Sequence, residues 1–291
     1  MTIGIIRRNG LGDVICSLPL LYLCQQQMPQ ASATLFIDER GAVLAPYLDG
    51  PQEIIVMPRG YLGLAALAWK ERRRRFNLLI SAKPAPMKMV NFLMRLLRAN
   101  RRIACPVNYK KDPSTHQAVK TLQLLDPSIQ EISPNLRPRL KMPPLQKFPK
   151  GPVLFISVTN NRLGSTLDHD KYARILTAVK KPFYLVINGE PKDQSSAEAL
   201  SSLIKFPHEI RLTASFDDFM SLIASADAFL IGDGGVMHIA AAYDKPQVVL
   251  FGGTKITEWA PLSDRAKCLG DPHNVNFIPE ADIIQALEEI L

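Results

Sequence analysis

Cysteine is scarce. Four are scattered over 291 residues, at Cys16, Cys24, Cys105 and Cys268. None forms a Cys-x-x-Cys pair, and no histidine spacing completes a zinc site, which argues against a structural zinc module. Cys16 and Cys24 fall on an apolar helical pattern and read as buried thiols in a reducing cytoplasm. Long apolar runs are also missing: none reaches the roughly 18 residues of a membrane span. The chain opens on the strand-like Thr2-Ile3-Gly4-Ile5-Ile6, without the basic-then-apolar start of a signal peptide, so none is expected. Aromatic residues are only 7 % of the chain and are not interleaved with the basic ones. No RNP, KH or zinc-finger pattern occurs, so nucleic acid is not expected as a partner despite a pI near 9.3.

What is present is a globular composition, 47 % apolar, long enough for two domains. Strand and helix patterns alternate. Strands are expected at Ile3–Arg7, Ala33–Ile37, Glu53–Met57, Asn77–Ser81 and Arg102–Cys105. Helices are expected between them, at Asp13–Gln27, near Val43–Leu48, at Leu62–Arg74 and at Met87–Arg98, and after the last of them at Thr115–Leu125. A segment at 126–152, rich in proline and basic residues, interrupts the rhythm. It restarts at Val153–Val158 and continues through strands at Phe183–Ile187, Glu209–Leu212, Ala228–Ile231 and Gln247–Phe251 to a last helix at Ala281–Leu291. Such βα alternation predicts parallel sheets covered on both faces. Charge divides with the pattern. Residues 1–150 hold 23 Lys and Arg against 9 Asp and Glu, and residues 151–291 hold 12 against 18. The first half is expected to meet something anionic; of the three candidates, nucleic acid, a membrane surface and a phosphorylated substrate, the first lacks the motifs named above.

Gly232-Asp233-Gly234-Gly235-Val236-Met237-His238 joins a strand pattern to a helix pattern. A helix N-terminus offers unpaired N–H groups and the positive end of a dipole, and glycines let a phosphate approach the backbone. Asp233 ends a strand, where open α/β sheets bind ligands. Gly252-Gly253-Thr254 makes a second polar turn on that edge. A plain glycine-tolerant βα turn, with His238 packing the helix onto the sheet, is the competing reading. Asp168-His169-Asp170 spells a metal-binding DxD, but it precedes a helix pattern and reads as a cap with a first-turn acid. Asp217-Asp218 reads as another helix start. With no oxygen-rich cluster elsewhere, neither a metal nor any other cofactor is expected.

Three segments together resemble glycosyltransferase family 9, the lipopolysaccharide heptosyltransferases. They are Gly12-Asp13-Val14-Ile15-Cys16-Ser17-Leu18-Pro19-Leu20 after the first strand, His116-Gln117-Ala118-Val119, and the Gly232–His238 stretch followed by Pro246, a strand and Phe251-Gly252. The resemblance implies an α/β protein of the GT-B fold, two Rossmann-like doubly wound domains facing a cleft, here divided as 1–145 (acceptor) and 146–291 (donor). It implies an inverting transfer of a heptose or related sugar from a nucleotide-sugar donor, ADP-heptose first among them, to an anionic lipopolysaccharide inner-core acceptor, with no metal. Asp13 matches the family's base; from position alone the helix N-cap is the favoured reading. Asn160, Asn161 and Arg162 match the start of a phosphate-binding run whose lysine falls here on Ser165. Gly189, Glu190 and Asp193 match a loop that reaches the nucleoside. Asp233, Gly234, Gly235 and His238 match the diphosphate turn, with glycine at 234 where the family carries Ser or Thr. Gly12, Lys83, Lys88 and Arg59, with Arg7 and Arg8, are candidate acceptor contacts. Trp69 and Arg72 to Arg75 are candidates for an anionic inner-membrane surface, which would make the protein cytoplasmic and peripheral. A nucleotide-binding relative without transfer activity, or a transferase with another donor sugar, are the alternatives.

Overall fold

The computed structural model describes residues 1–83, 85, 87–105, 112–149, 151–160, 162 and 164–291. They form two compact units, Met1–Lys141 and Met142–Leu291, dividing a few residues before the expected boundary at 145/146.

In the first unit, β1 (Thr2–Arg7), β2 (Ser32–Asp38), β3 (Glu53–Met57), β4 (Arg75–Ser81) and β5 (Arg98–Ile103) form one parallel sheet in the order β3-β2-β1-β4-β5. The inner strands are continuous apolar runs because both faces are covered. Ile3, Ile5, Ile6, Leu35, Phe36, Ile37, Leu79 and Ile80 are all buried. The helix expected over Asp13–Gln27 is two helices, Leu11–Ile15 and Leu18–Gln27. Pro19 explains the break: it lacks an N–H and fits a first turn but not a helix interior. The helix expected to run to Arg74 is Gly60–Lys70, so the arginine run is a turn that feeds β4, not a helix end. Residues 134–136 form a single 3₁₀ turn, and Leu140 bridges to Leu48.

In the second unit, β6 (Val153–Ser157), β7 (Tyr184–Gly189), β8 (His208–Leu212), β9 (Ala228–Gly232), β10 (Gln247–Gly252) and β11 (Ala266–Asp271) form a parallel sheet in the order β11-β10-β9-β6-β7-β8. The edge strand β11 has no counterpart among the sequence expectations. Leu154, Ile156, Leu185, Ile187, Leu230 and Leu250 form its apolar centre. The strand order of each sheet reverses once, between β1 and β4 and between β6 and β9. Chain connections leave such a pair in opposite directions, which opens a crevice at the strands' carboxyl ends. No helix among the described residues is long and apolar enough to cross a membrane.

Candidate functional site

At the β1/β4 reversal, the chain leaves β1 through Arg7 and re-enters a helix at Leu11. Asp13 lies in the first turn of that helix, but the N-cap is Gly10 and no side chain caps it. The carboxylate of Asp13 accepts a hydrogen bond from Arg7 Nη2 instead, so the cap reading does not hold. Arg7 Nη1 donates to the carbonyl of Ala82, just past β4. The Arg7 guanidinium therefore ties the ends of both switch-point strands to Asp13. Arg7 is 1 % exposed, and its Nε has no partner among the described residues. As a surface contact for an acceptor it is ruled out by that burial. Asp13 keeps 21 % of its side chain exposed, enough to reach a ligand.

The other first-unit candidates are spread along the same sheet edge. Lys83 follows Ala82 and is half-buried; desolvation pushes its pKa down, while the Asp13 charge acts in the opposite sense. Gly12 precedes Asp13, and its carbonyl accepts from Cys16 N at 2.9 Å. Lys88 is exposed at the start of helix Lys88–Leu96. Arg59 follows β3, two strands from β1, and pairs with Glu39 at 2.7 Å. Arg8 donates to the sulfur of Met89 at 3.0 Å and approaches Asp38. Burial pushes the Cys16 thiol up to about 12, so it is a neutral packing group and not a nucleophile.

At the β6/β9 reversal, Asp233 is fully buried. Its Oδ2 accepts from Arg162 Nη1 at 2.6 Å and from the Thr254 hydroxyl, and Arg162 Nη1 lies 3.2 Å from Thr254 Oγ1. Its Oδ1 is buried with no partner among the described residues. Asn160 staples the two loops: its Nδ2 donates to the carbonyls of Ser165 and Asp233 at 3.1 and 3.3 Å, and its Oδ1 accepts from Arg162 N. Helix Gly235–Ala242 starts at the uncapped Gly234, so its first N–H groups face the edge where these residues meet. His238 sits one turn in and is 4 % exposed. Asn161 lies outside the described residues.

Gly232 and Gly252, each in a polar turn expected at a ligand-binding edge, are needed for packing. A Cβ at Gly232 would stand 1.9 Å from the Ser165 carbonyl oxygen, and one at Gly252 would stand 2.0 Å from that of Gly164. Gly164 and Ser165 thus lie directly on the ends of β10 and β9. Gly234 is different: its backbone is extended and the nearest atom to a Cβ would be 3.9 Å away. Ser165, at the position where a lysine was expected, is 2 % exposed with its Oγ buried and unpartnered among the described residues.

On the loop after β7, Asp193 accepts from the Thr159 hydroxyl and from Glu190 N, closing a capping box. Glu190 is the exposed carboxylate of the pair, held 2.6 Å from Lys192 Nζ, and Gly189 ends β7. The DxD residues act as expected of a helix start in position only. Asp168 stands at the N-cap of His169–Ala178 but accepts from Asn276 Nδ2 rather than from its own helix. Ser215 caps the helix that carries Asp217 and Asp218. No group of three His, Cys, Asp or Glu side chains among the described residues could hold a metal.

These geometries can be set beside known proteins. The model of glycosyltransferase family 9 (heptosyltransferase) matches residues 82–283. The lipooligosaccharide heptosyltransferase 2 of Haemophilus influenzae is 25 % identical over 91 % of this chain and 87 % of its own. The crystal structure of a family 9 glycosyltransferase from Veillonella parvula superposes with a TM-score of 0.83 at 15 % identity, over 99 % of this chain and 96 % of that one. The E. coli heptosyltransferase WaaC, solved with ADP-2-deoxy-2-fluoro heptose, gives 0.72 at 16 % identity, over 99 % of both chains. The two doubly wound units are those of a GT-B glycosyltransferase, and with the family model spanning more than half of its length, this chain belongs to glycosyltransferase family 9 and is a glycosyltransferase.

Proposed function

We propose that the protein transfers a heptose from ADP-heptose to an anionic lipopolysaccharide inner-core acceptor, with inversion and without a metal ion. The acceptor hydroxyl oxygen attacks the anomeric carbon, its proton passes to Asp13, and the bond to the diphosphate breaks so that ADP leaves. A single displacement with no enzyme nucleophile inverts the anomeric centre. Arg7 holds the Asp13 carboxylate in place through its hydrogen bond, as a positioned general base requires. Arg162 and the N–H groups after Gly234 meet the charge that grows on the leaving diphosphate. Lys83 and Lys88 are acceptor contacts, and Glu190, the more exposed carboxylate of its loop, meets a ribose hydroxyl.

The observation that carries this reading is Asp233. Buried carboxylate oxygens are almost always hydrogen-bonded, yet Oδ1 has no partner among the described residues while Oδ2 holds Arg162 and Thr254. A ligand hydroxyl supplies the missing donor. The ADP-2-deoxy-2-fluoro heptose bound by the E. coli relative suits that environment: a diphosphate for Arg162 and the helix end, and hydroxyls for Asp233 and Glu190. A different donor sugar is the second reading, favoured by Ser165 and Gly234, which leave the phosphates with fewer side-chain donors.

The test is turnover of ADP-heptose with a core acceptor, beside thermal shifts with ADP and UDP. A ligand at 100 times its Kd stabilises the native state by about 2.7 kcal/mol, so the preferred base shows directly. Asp13→Asn keeps an acceptor for Arg7 but loses the base. It should lower kcat by about 10²- to 10⁴-fold and leave the ADP shift intact, and EDTA should leave the wild-type rate unchanged. Wild-type turnover by Asp13→Asn, or abolition by EDTA, would overturn the mechanism. A shift with UDP alone would overturn the donor.

A further inference from the structure

Helix Gly60–Lys70 buries Leu64, Leu67 and Ala68 against the first sheet. Its opposite face is also apolar and is exposed among the described residues. Leu62 is 89 % and Trp69 69 % exposed, with the exposed Ala66 between them. Positions 62, 66 and 69 follow the i, i+4, i+7 spacing of one helical stripe. Tyr61, half-exposed, flanks its start and packs edge-on against Phe92.

The stripe ends in a dense field of positive charge. Residues 59–75 hold six Lys and Arg and one acid, Glu71, and Glu71 is engaged by Arg74. Arg72 lies 4.5 Å over the Trp69 ring and donates to its carbonyl. Lys70, Arg73 and Arg75 are exposed beside it. Arg75 pairs in register with Arg98 of the neighbouring strand, and Arg95 and Leu96 are exposed just before that strand.

Each half of this surface excludes a class of partner. A polyanion in water would use the arginines but leave Leu62 and Trp69 wet. A second protein chain could cover the apolar stripe but would have to supply an unbroken acidic rim. An anionic bilayer satisfies both at once. Tryptophan settles at the headgroup level, an amphipathic helix lies in the interface plane, and each cation near the surface is attracted by the lipid charge. We propose that the Leu62–Ala66–Trp69 face, with Lys70, Arg72, Arg73 and Arg75, docks the first unit on an anionic lipid surface. The claim needs no assignment of donor or acceptor.

Sedimentation of the full chain with phosphatidylcholine vesicles, with and without phosphatidylglycerol and with neither substrate present, tests it. Binding should require phosphatidylglycerol and fall with salt. Arg72→Gln/Arg73→Gln should weaken it on the order of 25-fold, about fivefold per charge. Trp69→Ala should weaken it too. In a Trp259→Phe background, Trp69 fluorescence should shift to the blue on vesicles. Turnover of a soluble acceptor should be unchanged in all these variants, so failure of the surface and failure of the transferase reading are separable. Absence of wild-type vesicle binding, or equal binding by the variants, would overturn the proposal. So would a concentration-dependent dimer, or RNA binding, that Trp69→Ala or the arginine pair abolishes while no lipid is bound.

Discussion

Gly232 and Gly234 are two residues apart in one turn, yet the structure assigns them opposite tolerance. A methyl group at 232 would sit 1.9 Å from the Ser165 carbonyl oxygen and 2.7 Å from Asn160 Nδ2. Clearing a 3.0 Å limit means moving the loop by more than 1 Å. The obstructing atom is backbone, so no rotamer change relieves it, and the loop that must move holds Asn160 and Arg162. Overpacking of this kind costs about 1–3 kcal/mol, and a backbone obstruction places Gly232→Ala toward the upper end. For a unit of this size, 2–3 kcal/mol lowers Tm by roughly 4–12 °C. At 234 the nearest atom is 3.9 Å away and the extended backbone suits any residue. Gly234→Ser reduces the freedom of the unfolded chain, worth about 0.4–1 kcal/mol, and places a favoured cap at a helix start that has none. It should raise Tm by a degree or more.

The two variants also part in ligand response. Gly232→Ala displaces the Arg162 loop and should lose most of the ADP-induced shift. Gly234→Ser adds a hydroxyl donor beside the proposed diphosphate; one net hydrogen bond of about 1 kcal/mol tightens ADP about fivefold. Differential scanning fluorimetry with an ADP titration reads both quantities. Equal melting of the two variants would refute the packing argument. A stable Gly234→Ser protein with unchanged or weaker ADP affinity would refute the placement of the diphosphate.

Two further outcomes follow from the first unit. Asp13→Ala leaves the Arg7 charge buried without its partner and should cost about 3 kcal/mol in urea unfolding; adding Arg7→Met should restore part of that loss, and an Asp13→Ala protein as stable as wild type would count against the pair. The pKa of Lys83 is lowered by burial, so the native state binds fewer protons than the unfolded chain between the lowered and the ordinary lysine value, and the Lys83 contribution to stability rises with pH across that window. Its hold on an anionic acceptor runs the other way and weakens as pH rises through the same window, so the acceptor KM should climb at a lower pH than for Lys83→Arg; matching pH profiles would remove Lys83 from the acceptor site.

Sequence legibility followed the periodicity of the apolar residues. Runs such as Ile3–Ile6 and Phe229–Ile231 are buried on both faces and stand out against their polar turns. Strand β11 did not, because an edge strand containing Lys267, Gly270 and Asp271 carries neither an apolar run nor a clean alternation. Nor did the break before Pro19: proline chemistry disfavours a helix interior there, but the apolar pattern continues across it and hides the break. At the site, the resemblance marked Asp13, Arg162 and Asp233 but not how they pair. Arg7 counts as one more cation in a basic half until β4 brings Ala82 beside it, and Thr254 joins Asp233 only because β10 pairs with β9. The requirement for glycine at 232 and 252 comes from a loop that crosses both strand ends, a long-range contact that no local pattern encodes.

The charge imbalance is where the fold changes the reading most. Counted along the chain, the surplus of the first half suggests one anionic partner. Within the first unit, several of those cations are already spent: Arg7 on Asp13, Arg59 on Glu39, and Arg74 on Glu53 and Glu71. The exposed remainder falls at both ends of the sheet. Lys83 follows the carboxyl end of β4, whereas Arg75 starts that strand beside Arg98. Six residue steps of about 3.3 Å separate the ends of β4, roughly 20 Å, twice the screening length at 0.1 M salt. Two groups so far apart do not act on one phosphate. Lys83, which feels the Asp13 charge, goes with the proposed substrate chemistry, while Arg72, stacked on Trp69, goes with the proposed lipid surface. Neutralising one group should therefore leave the function of the other unchanged, a separation that a single electrostatic footprint would not allow.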